Sequence, residues 1–173
     1  MDLEQYIRDV PDFPKPGIVF KDITPLLADA AAMQDAVTQL VQPYALAGAE
    51  AVTGIESRGF IFGALAAERL GVGFVPIRKP GKLPAETISE SYALEYGTDA
   101  VEIHADAIRD GQKVLMVDDL LATGGTMEAA CKLVRKLGGQ IVGAAFVIEL
   151  SFLPGRAKLD ALNVPVHTLI DVG

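Results

Sequence analysis

The chain has 173 residues, half of them hydrophobic, one cysteine and a formal net charge of −8. That length suits one domain burying about 70% of its unfolded surface, and the negative charge argues against a nucleic-acid-binding face. No apolar run reaches the ~18 residues a bilayer span needs, the start Met1-Asp2-Leu3-Glu4 is acidic where a secretory leader is basic, and the lone Cys131 rules out an intrachain disulfide, which points to a reducing, cytoplasmic setting.

Leu3, Tyr6, Ile7 and Val10 recur at helical spacing and predict a short first helix. Pro11, Pro14, Pro16 and Gly17 then interrupt regular structure. Residues 30–47 read as a helix with Met33, Val37, Leu40, Val41 and Tyr44 on one face, kinked or ended near Gln42 by Pro43. Strands are expected over 51–55, 74–78, 113–117, 141–150 and 166–171. Helices are expected over 59–70, stopped by Gly71, and over 126–137, stopped by Gly138-Gly139, with Met127, Ala130, Cys131 and Val134 inward. Such alternation predicts an α/β fold, a mainly parallel sheet with helices on both faces. Residues 80–103 differ: there is no helical stripe, Tyr92, Leu94 and Tyr96 alternate with Ala93 and Glu95, and a lid of two extended arms is expected. No repeat or linker interrupts the chain.

The chemistry concentrates in residues 114–126. An apolar strand ends in Asp118 and Asp119, followed by the small-residue loop Ala122, Thr123, Gly124, Gly125 and Thr126 and then a helix. Ligands bind at the carboxyl edge of open parallel sheets. Amides of a loop without bulk can approach an anion closely, and a helix start adds its positive dipole end. Taken singly, Asp-Asp or Gly-Gly after a strand only builds a turn and caps a helix. Residues 54–60 repeat the arrangement, with Glu56, Ser57, Arg58 and Gly59 between a strand and a helix. An arginine is unfavourable beside a positive helix end unless an anion lies between, and its forked donors suit pyrophosphate. There is no G-x-x-x-x-G-K-[ST], and Gly71-Val72-Gly73 follows a helix, the wrong order for a dinucleotide loop. Despite the negative total, Lys21, Arg58, Arg78, Lys79 and Lys82 cluster within residues 12–24, 54–60 and 77–84.

Residues 114–126 resemble the phosphoribosyl pyrophosphate (PRPP) motif of the type I phosphoribosyltransferases. Residues 12–24, 77–84 and 91–97 are similar to the adenine-specific branch, so the resemblance covers nearly the whole chain. Lys21 stands where arginine is also common, keeping charge but losing planar stacking. The resemblance implies one domain over 1–173, with an N-terminal base-binding hood over 1–30 and a flexible lid loop over 79–104. It implies purine salvage: adenine and PRPP give AMP and pyrophosphate, with Mg2+ required.

Breaking the sugar's C1–O bond creates an oxocarbenium-like centre and a highly charged leaving group, both to be stabilised away from water. By resemblance, Ala122, Thr123, Gly124, Gly125 and Thr126 hold the 5-phosphate, and Asp118 and Asp119 accept from the ribose hydroxyls. Both acids can do so only if the chain leaves strand geometry there, since successive strand side chains diverge. They also reach magnesium through water, the ion being held mainly by substrate. Glu56, Ser57, Arg58, Gly59, Arg78 and Lys79 meet pyrophosphate, with a cis Glu56–Ser57 peptide. Arg78 is lent across a homodimer interface. Phe20 stacks on adenine, and the backbones of Val19 and Lys21 read its amino group and N1. Glu95 is the general acid/base on the lid, and Tyr96 closes over the sugar. His104 and His167 carry no role, and Cys131 is core.

Two alternatives stay open. One is a 6-oxopurine phosphoribosyltransferase, which would want a lysine soon after residue 149, whereas none follows until Lys158. The other is a non-catalytic nucleic-acid-binding regulator of the same fold, which would want a basic face.

Overall fold

The computed structural model describes residues 1–173. A single 3-10 turn over Glu4–Tyr6 replaces the expected first helix, and strand β1 (Arg8–Pro11) follows at once. β1 pairs antiparallel with β2 (Val19–Asp22), which the sequence reading did not anticipate. Cross-strand partners explain the difference: Arg8 bonds Asp22 through Nε at 2.9 Å, and Lys21 bonds Asp9 at 2.6 Å. Tertiary pairing outweighs the helical spacing of so short a segment. The turn between the strands contains a cis Phe13–Pro14 bond.

Helix α1 (Thr24–Ala28), also unanticipated, starts where the Asp22 carboxylate accepts the Thr24 N–H at 2.9 Å. Asp29 caps α2 (Ala30–Val41) in the same way, accepting from Ala32. α2 gives way to a 3-10 turn at Gln42–Tyr44, as Pro43 foretells. Then come β3 (Ala51–Ile55), α3 (Arg58–Leu70) and β4 (Gly73–Ile77), with Gly71 stopping α3 in the left-handed region at φ 70°. β5 (Thr87–Ala93) and β6 (Thr98–His104) form a separate antiparallel hairpin. After it come β7 (Lys113–Leu121), α4 (Gly125–Lys136), β8 (Gln140–Leu150), α5 (Gly155–Ala161) and β9 (Val166–Val172). α5 was not foreseen from the tail.

The main sheet has order β4-β3-β7-β8-β9, and every pair in it is parallel. Strand periodicity divides its apolar residues between two cores. Leu115 and Val117 of β7 pack with Val37 and Leu40 of α2 and Phe62 and Ala66 of α3. Val114 and Met116 pack on the other face with Ala130, Cys131 and Val134 of α4 and Leu159 of α5. All four β7 residues are fully buried, which accounts for their unbroken hydrophobic run. The β5–β6 hairpin joins the second core: Val101 and Ile103 are buried, and the hairpin lies on α4, where Lys136 bonds Glu90. Only its turn, residues 94–97, is exposed throughout.

Candidate active site

β3 connects to its neighbour on one side, β4, while β7 connects to β8 and β9 on the other. The loops after β3 and β7 therefore leave the carboxyl edge side by side at the reversal of strand order, where ligands of open α/β sheets bind. Between them lies a cavity of about 340 Å3, walled by Glu56, Ser57, Arg58, Lys79, Asp118, Asp119 and Thr126. A hollow of about 100 Å3 shares Asp118 and Thr126 with it and is closed by Ala122, Thr123 and Gly124. A larger groove, about 480 Å3, runs between α2 and α3 past Met33, Leu65 and Arg69. Its charged lining is one sequence-adjacent pair on α3, Glu68 and Arg69, with no loop from the carboxyl edge of the sheet, so size alone does not mark the site.

β7 runs to Leu121, four residues beyond the expected end, so the two acids lie within the strand and not after it. The long β8 makes this possible by pairing Leu120 with Ile148 and Leu121 with Glu149. Both acids nevertheless wall the cavity. The ladder with β8 pairs Asp118 and Leu120 but skips Asp119, whose N–H turns to Asp118 Oδ1 at 2.9 Å. Asp118 lies against the start of α3, because a Cβ on Gly59 would fall 2.6 Å from its Oδ1. Burial pushes the Asp118 carboxyl well above its usual range, and the charge of Asp119 adds to the rise. Arg58 Nε stands 2.6 Å from Asp119 Oδ2, and its guanidinium lies 5.5 Å over the Phe20 ring. One arginine thus ties the β1–β2 hairpin to the acids.

The Glu56–Ser57 peptide is cis. The Glu56 carboxylate accepts from the Lys79 N–H at 2.7 Å and from Arg78 Nε at 3.1 Å. Partial burial pushes Glu56 up, but these donors outweigh it and hold the carboxyl below its ordinary value. Arg78 also lies 5.9 Å from the Phe60 ring. Across the site, Gly124 has φ 80°, and a Cβ there would come 2.8 Å from the Gly155 Cα. Only glycine satisfies both conditions. Gly125 and Thr126 open α4, where the first amides have no intrahelical partner.

Other expected residues lie apart. Glu95 and Tyr96 sit on the exposed β5–β6 turn, with Tyr96 84% exposed, and neither walls the cavity. The Lys21 ammonium is engaged by Asp9, which leaves its backbone for any reading of a base. Val19 is paired with Pro11, which has no N–H to occupy the Val19 carbonyl. No three His, Cys, Asp or Glu side chains are grouped to hold a metal. The donor set present, two adjacent carboxylates on the cavity, consists of hard oxygens that suit magnesium completing its shell with substrate and water.

Sequence reasoning missed three features. Tyr92 and Asp99 bond the Lys79 ammonium; their relation becomes legible once the hairpin turn is set at 94–97, which makes them cross-strand partners. Gly155 buttresses the 122–126 loop from α5, and nothing local to residues 151–155 signals it. The Arg156–Glu149 pair joins the start of α5 to the end of β8, seven residues earlier.

The cavity stands at the strand-order reversal of a parallel α/β sheet, and residues 26–162 match the phosphoribosyl transferase domain model, which places the chain among the phosphoribosyltransferases. A relative from Bradyrhizobium sp. (strain ORS 278), named adenine phosphoribosyltransferase, is 56% identical over 98% of this chain and 95% of its own. The crystal structure of adenine phosphoribosyltransferase from Rhodothermus marinus has a TM-score of 0.93 at 54% identity, covering 98% of this chain and 96% of that one. The Saccharomyces cerevisiae enzyme, complexed with adenine and an imino-altritol bisphosphate, has a TM-score of 0.90 at 42% identity, covering 96% of both chains. The chain belongs to the adenine phosphoribosyltransferases.

Proposed function

We propose that this protein transfers the 5-phosphoribosyl group of PRPP to adenine, yielding AMP and pyrophosphate in purine salvage. The observation that carries the reading is a cavity walled by three acids and two cations that shares Asp118 and Thr126 with the hollow formed by Ala122, Thr123 and Gly124. Residues 122–126 grip the 5-phosphate through backbone amides and the Thr123 and Thr126 hydroxyls. Asp118 and Asp119 orient the ribose hydroxyls and favour the developing positive charge at C1. Arg58, Lys79, Arg78 and the Ser57 and Gly59 amides receive the departing pyrophosphate, with Glu56 steadying the cations. Mg2+, held by substrate oxygens and through water by Asp118 and Asp119, supplies neutralising charge to the leaving group when bound.

Phe20 offers adenine an apolar face. The Val19 carbonyl accepts from the 6-amino group, and the Lys21 backbone reads N1. A 6-oxo base leaves that carbonyl unpaired, at a cost of about 1–3 kcal/mol. Glu95 and Tyr96 reach the base and sugar when the hairpin turn closes. Arg78 directly follows the edge strand β4, so a second copy docked on that edge would share its guanidinium; we propose a homodimer, checked by sedimentation. A buried, unpaired Cys131 suits the reducing cytoplasm.

The decisive assay mixes protein, Mg2+ and PRPP with adenine, hypoxanthine, guanine or orotate and follows nucleotide formation. Turnover with adenine alone is expected; equal turnover with hypoxanthine would sink the base assignment. Glu95→Gln should lower kcat about 100-fold with an unchanged melting temperature, and full activity would remove the proton-transfer role only.

A further inference from the structure

Lys79 makes contacts that the transfer reaction does not require. Its ammonium donates to the Tyr92 hydroxyl at 2.7 Å and to the Asp99 carboxylate, and Tyr92 Oη donates in turn to Asp99 Oδ2 at 3.2 Å. The three groups close a ring. Tyr92 and Asp99 stand directly opposite each other in the β5–β6 ladder, so their side chains share one face of the hairpin. The other Asp99 oxygen accepts the Ala100 N–H at 2.8 Å, which fixes the carboxylate. The Tyr92 ring also packs on Gly125, where a Cβ would come 3.2 Å from its Cδ2. One tyrosine therefore touches both the cavity lysine and the opening residue of α4.

We infer that Asp99 and Tyr92 are positioning residues that pre-order the Lys79 ammonium for pyrophosphate and couple it to the lid hairpin. This rests on the reading of Lys79 as a pyrophosphate ligand. An ammonium has three N–H donors. Two are tied to the hairpin, so one remains for an incoming phosphoryl oxygen while Lys79 walls the cavity. A free lysine side chain must be ordered when it binds, and immobilising it is costly in rotamer entropy. Here folding has already ordered it. The partly desolvated ammonium keeps its charge because its two hairpin bonds outweigh the effect of burial. Asp99 would repel a pyrophosphate that approached it directly, but its charge is matched by the lysine it holds. The ring also gives the hairpin a physical link to the leaving-group site: a shift of β5 or β6 moves the ammonium with it.

The test compares Asp99→Asn, Asp99→Glu, Tyr92→Phe, Lys79→Met and the Lys79→Met/Asp99→Asn double variant by steady-state kinetics in both directions. Asp99→Asn should raise KM for PRPP, and for pyrophosphate in the reverse reaction, roughly fivefold to tenfold. KM for adenine, kcat and the melting temperature should stay near wild type. Asp99→Glu should recover most of the loss, and Tyr92→Phe should cost roughly twofold to threefold. In the Lys79→Met background, Asp99→Asn should add nothing, because its effect passes through the lysine. An unchanged or lowered KM for PRPP in Asp99→Asn overturns the inference, as does an equal penalty with and without Lys79. If Lys79→Met itself keeps the wild-type KM for PRPP, the assignment of Lys79 to pyrophosphate fails, and the positioning role fails with it.

Discussion

Two arginine–carboxylate pairs sit along the same carboxyl edge of the sheet, and they differ in one respect. Glu149, with its side chain 4% exposed, takes Arg156 on both oxygens, through Nε at 2.8 Å and the second guanidinium nitrogen, and also accepts from the Thr168 hydroxyl at 3.1 Å. Asp119, nearly as buried at 8%, has one ion contact from Arg58 and faces a cavity. A buried carboxylate with both oxygens bonded and no cavity before it is framework; one that turns free acceptor capacity toward a cavity is a place for a ligand. Arg156 shares the design, also donating to the Val166 carbonyl at 3.3 Å, whereas Arg58 spreads from Asp119 to an aromatic face. The framework pair still serves the cavity, because Arg156 anchors the helix whose first residue, Gly155, supports the 122–126 loop.

The widest separation between the pairs should come from breaking each. Asp119→Asn and Arg58→Ala should lower kcat/KM about 100- to 1,000-fold while thermal melting stays within a few degrees. Arg156→Ala should do the reverse, costing about 3 kcal/mol of stability because Glu149 is left buried without its countercharge, as read by urea unfolding. A stable Arg156→Ala protein, or an unfolded Asp119→Asn one, would erase the distinction. Gly155→Ala probes the link between them. Its new Cβ would overlap the Ala122 carbonyl and come 2.8 Å from Leu121 Cδ1, so the 122–126 loop must shift. KM for PRPP should rise about tenfold, with KM for adenine unchanged.

A smaller effect tests a third arginine–acid pair, on the β1–β2 hairpin. The Thr24 N–H, and then Arg8, hold Asp22 at about 2 against an ordinary 3.8. A lowered acid value stabilises the fold above the ordinary value and loses that contribution as pH falls through the lowered one. Acid unfolding of Asp22→Asn should therefore be flatter than wild type between pH ~4 and ~2, by circular dichroism. Equal slopes would show that this pair, unlike Arg156–Glu149, carries no framework role.

Elements with strong local signals were legible in advance. The β7 run, the Pro43 break and the Gly71 stop lie where spacing and stop residues put them, because burial on both faces and backbone limits act residue by residue. The 3-10 turn at Glu4–Tyr6 and the β1–β2 hairpin were not legible. Their apolar spacing is helical, and only partners Asp9 and Asp22, across the hairpin from Lys21 and Arg8, decide for strands. The length of β7 was hidden for a similar reason: acids in a strand look like its end until the neighbouring β8 is seen to carry the ladder past them.

By itself the sequence determined the alternating α/β order, the small-residue loop at 122–126 and the identity of the acids and cations, since composition and spacing carry those directly. Only the tertiary structure decided which of them meet. The reversal of strand order brings Arg58 to Asp119, cross-strand register brings Asp99 and Tyr92 to Lys79, and a distant helix sets Gly155 under Gly124. Each is a contact between residues far apart in the chain or on facing strands, and no local pattern encodes such distances.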